Sequence, residues 1–440
     1  MLGPGATLPC DNLSEPLEVI RLLGSGGQGE VYEVAFAGER LAAKWYFPRF
    51  LARDPELMER LRDSIRATSP SAAFLWPMAL LQPAAASVVE LRLPAGSFGY
   101  LMALRPPDYV AAIEHEAARL TISLRDVVRA CFFLAEAFDR LHGRGLCYKD
   151  ISTGNLFLRP RDGRILICDN DNVAVTGVGR GAALGTPGFM APEVLLGQAR
   201  PSSGSDLFSL AVLLFRLLTR SDPFKGQLEL QIRCLDVPAQ RQLYGVDPVF
   251  VFDPRDDRNR PDPEVHRAAC LTWPIYPPAL QKLFQQTFGP GLRDPGSRVL
   301  TGQWCETLAS VLDRRLLCPH CGQEVFGTGD GSDPCWACGG AIAAVPRLVL
   351  SRGVVLAQPG NELHPHHFNA LILENLDGPV ARVEPHPRDP RILGLLNCSE
   401  RPWSADLADG GSVTVEPGRR CSLAKAMRIH TDQGTIEVLG

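Results

Sequence analysis

The stretch that most constrains this chain runs from Leu141 to Asn155. Asp150 stands five positions before Asn155, in a turn-rich segment that follows a long apolar helical periodicity. A short β-type run, Ile165-Leu166-Ile167, then leads through Cys168 to Asp169. One carboxylate able to accept a hydroxyl proton, with an amide and a second carboxylate able to hold magnesium, suits phosphoryl transfer. An isolated Asp-x-x-x-x-Asn recurs by chance, so the flanking sequence has to carry the argument.

Upstream, Val19 to Val34 reads strand, glycine turn, strand. The turn is Gly24-Ser25-Gly26-Gly27-Gln28-Gly29. In a dinucleotide-binding fold its third glycine would open a helix, whereas here Glu30-Val31-Tyr32-Glu33-Val34-Ala35-Phe36 is β-prone. A hairpin whose backbone amides cover phosphates fits, and an ordinary flexible hairpin is the plainer alternative. Leu41-Ala42-Ala43-Lys44 is a short strand carrying one lysine, a flexible point charge that can reach phosphates. Asp54 to Ala67 is predicted helical, with Leu57, Leu61 and Ile65 on one face. Phe74 to Leu81, Ser87 to Leu93 and Gly99 to Leu104 are predicted strands, and Leu120 to His142 a long helix.

Downstream lies Gly185-Thr186-Pro187-Gly188-Phe189-Met190-Ala191-Pro192-Glu193, and then Ser205 to Thr219, apolar nearly all round and so expected to be buried. Asp294-Pro295-Gly296-Ser297-Arg298 comes later. In this order the segments resemble a protein kinase over roughly residues 14 to 313. Tyr148-Lys149-Asp150 stands for His-Arg-Asp, and Asp169-Asn170-Asp171 for Asp-Phe-Gly. The resemblance implies an N-lobe of about 14–104 and a C-lobe of about 105–313. It implies that Asp150 handles the acceptor hydroxyl, that Asn155 and Asp169 chelate Mg²⁺ (or Mn²⁺), and that Lys44 holds the phosphates of ATP. The backbone of Gly24, Ser25, Gly26, Gly27, Gln28 and Gly29 would cover those phosphates. Val31, Ala42, Met102 and Leu104 would frame the nucleotide, with Met102 at the hinge. A glutamate should pair with Lys44: Glu59 by distance, with Glu56 as the alternative. Thr186 would face Asp150, Asp206 would bond the catalytic-loop backbone, and Arg298 would pair with Glu193.

Some positions depart from the family. Ser152 stands where Ser/Thr kinases usually carry lysine, which removes an electrostatic stabiliser. Lys149 cannot clamp a phosphorylated loop bidentately as arginine does. Between Asp169 and Glu193 only Thr176 and Thr186 carry hydroxyls, so loop phosphorylation is expected to be dispensable. The segment from Phe224 to Pro278 is longer than a minimal kinase needs, and Asp253 to Arg267 reads as a solvated loop.

Cys318-x-x-Cys321 and Cys335-x-x-Cys338, thirteen residues apart, suit a closed structural zinc site in a ribbon over residues 314–344. From 345 to 440, short β-type runs alternate with Pro, Gly and Asp turns, predicting a small β-sandwich for partner binding. Its predicted strands include Arg347–Leu350, Ala370–Glu374, Val380–Val383, Ser412–Val415 and Thr435–Leu439. His364, His366 and His367 read as surface turn histidines, with metal binding the less common use. The expected class is therefore α+β: a two-lobed protein-kinase fold, a four-cysteine zinc ribbon and a small all-β sandwich.

A length of 440 residues allows about two to four domains. The net charge of −4 gives no reason to expect nucleic-acid or membrane-surface binding. No apolar run reaches the roughly 18 residues of a membrane span. Met1 to Asn12 lacks the features of a signal peptide. With most of the thirteen cysteines scattered singly, a cytoplasmic location is expected. The whole combination resembles the kinase of bacterial tellurium-resistance-type phosphorylation triads. That resemblance implies protein substrates, an associated metal-dependent phosphatase and a von Willebrand factor A domain protein. A nucleotide-binding pseudokinase scaffold is the alternative, and a small-molecule kinase a third reading that the Ala-Pro-Glu segment disfavours.

Overall fold

A computed structural model describes residues 2–94, 96–177, 185–424 and 426–440. The chain divides into two compact units. One comprises Met1–Ile122, Phe133–Ala269 and Phe284–Thr301; the other comprises Ser123–Phe132, Cys270–Leu283 and Gly302–Gly440.

The first unit opens with a six-stranded antiparallel sheet. Its strands are β1 (Thr7–Leu8), β2 (Leu17–Ser25), β3 (Gly29–Phe36), β4 (Glu39–Tyr46), β5 (Ala79–Leu81) and β6 (Gly99–Ala103), ordered β1-β2-β3-β4-β6-β5. Alternation along β4 sorts its residues by face. Leu41, Ala43 and Trp45 enter one apolar cluster, and Ala42 and Tyr46 another. Lys44 therefore emerges between Ala42 and Tyr46, on the same face. Gly29 is required at the start of β3, because a Cβ there would meet the Trp45 carbonyl oxygen at 2.1 Å.

Helix α1 (Leu57–Ala67) packs on this sheet through Leu57 and Leu61, both buried. Each buried leucine contributes about 1.5–3 kcal/mol. Two predicted strands are corrected. Ser87–Leu93 lies largely in helix α2 (Ala85–Glu90): the alanine run after Pro83 favours a helix, and Val89 projects into solvent. Phe74–Leu81 shortens to β5, since Pro77 cannot donate to a ladder.

Helix α3 (Leu124–His142) begins later than predicted because Ser123 caps it, its Oγ accepting from the Asp126 amide at 3.0 Å. Small pairings follow. β7 (Val110–Ala111), β9 (Leu156–Leu158) and β10 (Ile165–Ile167) form one sheet, while β8 (Leu146–Cys147) pairs with β11 (Ala174–Val175). Helix α4 (Ser203–Thr219) starts at a Ser202/Ser205 capping box and is buried on nearly every side. The segment Asp253–Arg267 is largely exposed, as the sequence predicts, but is pinned at one residue. Asn259 is fully buried, and its amide donates to the carbonyls of Phe224 at 2.9 Å and Val249 at 2.6 Å.

The second unit contains helix α5 (Thr301–Asp313) from Gly302 onward, and the hairpin β12 (Arg315–Leu317) with β13 (Glu324–Phe326). Ten further strands make two antiparallel sheets. One contains β14 (Arg347–Leu350), β15 (Gly353–Leu356), β19 (Trp403–Leu407), β20 (Ser412–Val415), β22 (Ala426–His430) and β23 (Thr435–Leu439). The other contains β16 (Glu362–Leu363), β17 (Ala381–Pro385), β18 (Leu393–Asn397) and β21 (Arg420–Ser422). Leu348, Ile429 and Ile436 of the first sheet share one core with Leu363, Val383 and Leu395 of the second. The predicted strand Ala370–Glu374 is not formed: Leu371 is 92% and Leu373 77% exposed. The three histidines are also corrected. His364, His366 and His367 are all buried, against the surface position expected of a Pro-containing turn. No helix among the described residues is long and apolar enough to cross a membrane.

Candidate active site

The Asp150 loop is held from beneath by Asp206, a buried carboxylate on α4. Its Oδ2 accepts from the Tyr148 amide at 2.6 Å and its Oδ1 from the Lys149 amide at 3.1 Å. Lys149 takes φ +71, a left-handed conformation costly for a non-glycine residue, and Asp206 secures it. Asp150 Oδ1 accepts from the Thr186 hydroxyl at 2.6 Å. The Asn155 amide donates to Asp150 Oδ2 at 3.2 Å and to the Asp150 carbonyl at 2.9 Å. The Cys168 amide in turn donates to the Asn155 carbonyl at 3.0 Å, which sets Asp169 beside the same loop.

Lys44 reaches this group from β4. Its Nζ donates to Asp169 Oδ1 at 3.3 Å, to Asp171 Oδ2 at 2.9 Å and to Gln28 Oε1 at 2.6 Å. Burial alone would lower the Lys44 pKa, but Asp171 and Asp169 outweigh it and hold the ammonium above its ordinary value. Burial pushes the Asp169 carboxyl above the usual range, against the pull of Lys44. The structure thus brings together Lys44, Asp150, Asn155 and Asp169. It also gathers Ala42, Met102, Val31 and Leu104 in one apolar cluster with Phe157 and Cys168. Gly24, Gly26 and Gly27 would meet nothing within 4 Å if they carried a Cβ, so the turn edges open space. Gly26 donates to the Gly29 carbonyl at 2.9 Å, and Ser25 ends β2 exposed.

Glu59 does not join the site. Its carboxylate pairs with Arg62 and is 68% exposed, and Glu56 is exposed as well. Two residues that the sequence reading did not place at Lys44 are there instead, Asp171 and Tyr46. The signal for Tyr46 was available, because it lies two residues along the strand from Lys44 and shares its face.

Residues 107–267 match the family described as Protein kinase domain. The matched segment is similar to a protein kinase domain. A cGMP-dependent protein kinase of Drosophila melanogaster, isozyme 2 forms cD5/T2, is 40% identical over 95 residues, 21% of this chain and 10% of that protein. The serine/threonine-protein kinase AfsK of Streptomyces coelicolor is 27% identical over 217 residues, 48% of this chain and 25% of that one. The matched stretch is thus a quarter or less of each of these relatives. The kinase domain of PknI from Mycobacterium tuberculosis, solved as a cysteine-to-alanine mutant, aligns at 20% identity with TM-score 0.44, over 70% of this chain and 98% of that one.

Arg298 pairs bidentately with Glu193, both N–O distances being 2.8 Å, and its side chain is fully buried. Thr176 is engaged by α4: its hydroxyl accepts from the Ser203 amide at 2.8 Å and donates to Ser203 Oγ at 3.3 Å.

A second cluster lies in the other unit. Cys318, Cys321, Cys335 and Cys338 have sulfurs all within 4.8 Å of one another, with the 318–338 and 321–335 pairs at 3.6 Å. The two turns are built alike. The amides of Gly322 and Gly339 donate back to the Cys318 and Cys335 carbonyls, and both glycines take positive φ. Tetrahedral zinc with Zn–S near 2.3 Å needs sulfurs about 3.8 Å apart, so this donor set fits zinc in composition and spacing.

Proposed function

We propose that this chain is a serine/threonine protein kinase that transfers the γ-phosphate of Mg-ATP to protein hydroxyls. The observation that carries the reading is the meeting of Lys44 and Asp169 at 3.3 Å beside the hydrogen-bonded pair Asp150–Asn155. In this reading Asp150 orients the acceptor hydroxyl and takes up its proton, and Thr186, already bonded to Asp150, favours an aliphatic hydroxyl there. Lys44 binds the α- and β-phosphates, and the Gly24–Gly29 backbone covers them. Asn155 and Asp169 would hold Mg²⁺, which when bound neutralises charge across the phosphates. The apolar cluster of Ala42, Met102, Val31 and Leu104 forms the adenine pocket. Residues 14–313 constitute the catalytic part, 314–344 a ribbon closed by structural Zn²⁺ on the four cysteines, and 345–440 a partner-binding β-sandwich.

The finer assignment is to the kinase of a bacterial tellurium-resistance-type phosphorylation triad, working in the cytoplasm beside a metal-dependent phosphatase and a von Willebrand factor A domain protein. The support is the order kinase, four-cysteine cluster, β module within one chain. One observation favours the pseudokinase reading instead: Ser152 is buried where a lysine would meet the γ-phosphate. A Mg-ATP phosphorylation assay on the full chain and its associated proteins, with Asp150→Ala alongside, separates the two. Phosphate incorporation lost in the variant is the expected result. Nucleotide binding without transfer in the wild type would leave only a scaffold.

A further inference from the structure

Lys44 is 3% exposed, and a buried ammonium needs a carboxylate partner. In the family this chain resembles, the partner is a glutamate on the helix that packs on the sheet. Here α1 buries Leu57, Leu61 and Ser64, while its acidic residues Glu59 and Asp63 pair outward with Arg62 and Arg66. The buried Asp54, just before the helix, is taken bidentately by Arg60 at 2.7 and 2.5 Å. No α1 carboxylate faces Lys44 among the described residues.

Asp171 is there instead. It lies in the short helical turn Asn170–Asn172 that follows β10, two residues beyond Asp169, where the resembled motif has glycine. Its Oδ2 accepts from Lys44 at 2.9 Å and from the Tyr46 hydroxyl at 2.6 Å. The Asp171 side chain is 1% exposed, whereas that of Asp169 is 36% exposed. The two carboxylates therefore face different tasks. Asp169 is open enough to take a hydrated cation, and Asp171 is sealed against the lysine and the phenol.

We infer that Asp171, braced by Tyr46, is the positioning residue that sets Lys44 for the phosphates, in place of a helix-borne glutamate. The inference rests on the kinase reading above. It has a consequence for control: the lysine is anchored by the metal-binding turn itself, so α1 need not move to complete the site.

The test compares binding of Mg-AMP-PNP and of adenosine by calorimetry on the full chain. In the proposed reading Lys44 meets the nucleotide only at its phosphates, so Asp171→Asn should weaken Mg-AMP-PNP about tenfold and leave adenosine unchanged. Tyr46→Phe should act the same way by about twofold to threefold, and it decides the matter should Asp171→Asn not fold. Glu59→Gln and Glu56→Gln should change neither affinity. Equal losses for both ligands would mean a merely structural role and overturn the inference. So would an unchanged Mg-AMP-PNP affinity, or a loss reproduced by either glutamate variant. A loss that vanishes when EDTA replaces magnesium would make Asp171 a metal ligand and also overturn it. A wild type that binds but transfers no phosphate would defeat the kinase reading and leave this comparison fully readable.

Discussion

Acidifying the protein from about pH 7.5 to about pH 5 is expected to loosen the C-terminal β module by about 4 kcal/mol, through His364 and His366. Both imidazoles are buried, at 2% and 4% exposure. His364 Nδ1 and His366 Nε2 have no hydrogen-bond partner, and the two rings stack with centroids 5.7 Å apart. Their surroundings disfavour a proton. His364 lies 3.9 Å from Glu362, but Arg125, Arg129 and Arg382 already occupy that carboxylate. Asp313 is taken by His367 at 3.1 Å, and His366 Nδ1 accepts from the Asn375 amide at 3.3 Å. Burial first, then the neighbouring histidines, hold His364 down to about 2 and His366 to about 3.

The sign follows from proton uptake. Above the unfolded histidine pKa near 6.5, both states are neutral and nothing changes. Below it, the unfolded chain binds two protons that the folded one refuses, so stability falls as pH falls. At about pH 5 each site costs about 1.5 pH units times 1.4 kcal/mol, or about 2 kcal/mol. Hydrogen exchange of β17 and β18 peptides at the two pH values measures the loss. Carboxylates titrate over the same range, so the decisive quantity is the difference from His364→Gln/His366→Gln, whose pH dependence should be about 4 kcal/mol shallower. A double variant with the wild-type pH slope would refute the reasoning.

Other outcomes follow from single contacts. Thr176→Ala should keep phosphorylation activity within about twofold, because the hydroxyl is committed to Ser203; loss of nearly all activity would reinstate loop phosphorylation as a requirement. Elemental analysis should find one zinc per chain, falling to well under half in Cys321→Ser; a metal-free wild type with intact β12–β13 pairing would show the cysteines serving otherwise. Arg298→Ala should cost about 3–5 kcal/mol in denaturant unfolding, since Glu193 loses its bidentate partner, and a cost under about 1 kcal/mol would deny the pair its structural role.

Much of the candidate site was legible because its chemistry demands particular residue types at short separations. Asp150 and Asn155 share one turn, and Asp169 ends the next strand. Their hydrogen bonds bridge neighbours that the chain order already placed together. The Lys44 partner was misjudged for a reason that helix geometry exposes. Leu57, Leu61 and Ile65 define the inward face, and Glu59 sits about 200° around the helix from Leu57. Distance along the chain pointed to Glu59, but rotation about the axis turns it to solvent, where Arg62 meets it. The buried histidines were hidden for a different reason. A Pro-His-His turn reads as surface, and only tertiary contacts with Asp313 and Asn375 draw it inward. Val88 and Val89 similarly favoured a strand on β-branching alone, which the preceding alanines outweighed.

The three residues Asp169, Asn170 and Asp171 tie these points together. The resembled motif has a phenylalanine at the centre, an apolar group that can leave one pocket for another at modest cost. Here Asn170 is fully buried, and its amide donates to the Leu75 carbonyl at 2.8 Å and the Ile167 carbonyl at 3.0 Å. Rotating it out would strand the buried Leu75 carbonyl, at about 1–3 kcal/mol unless water replaced the lost bond, while the Ile167 carbonyl would keep its bond from the Leu75 amide at 2.9 Å. Asp169 on one side and Asp171 on the other both hold Lys44. All three consecutive side chains thus have fixed polar partners, and Asp169 and Asp171 share one of them, Lys44. A turn built this way resists the displacement that an aromatic hinge would permit. The same polar substitutions that weaken the family resemblance at the motif therefore supply the rigidity that lets Asp171 replace a movable helix as the anchor for Lys44.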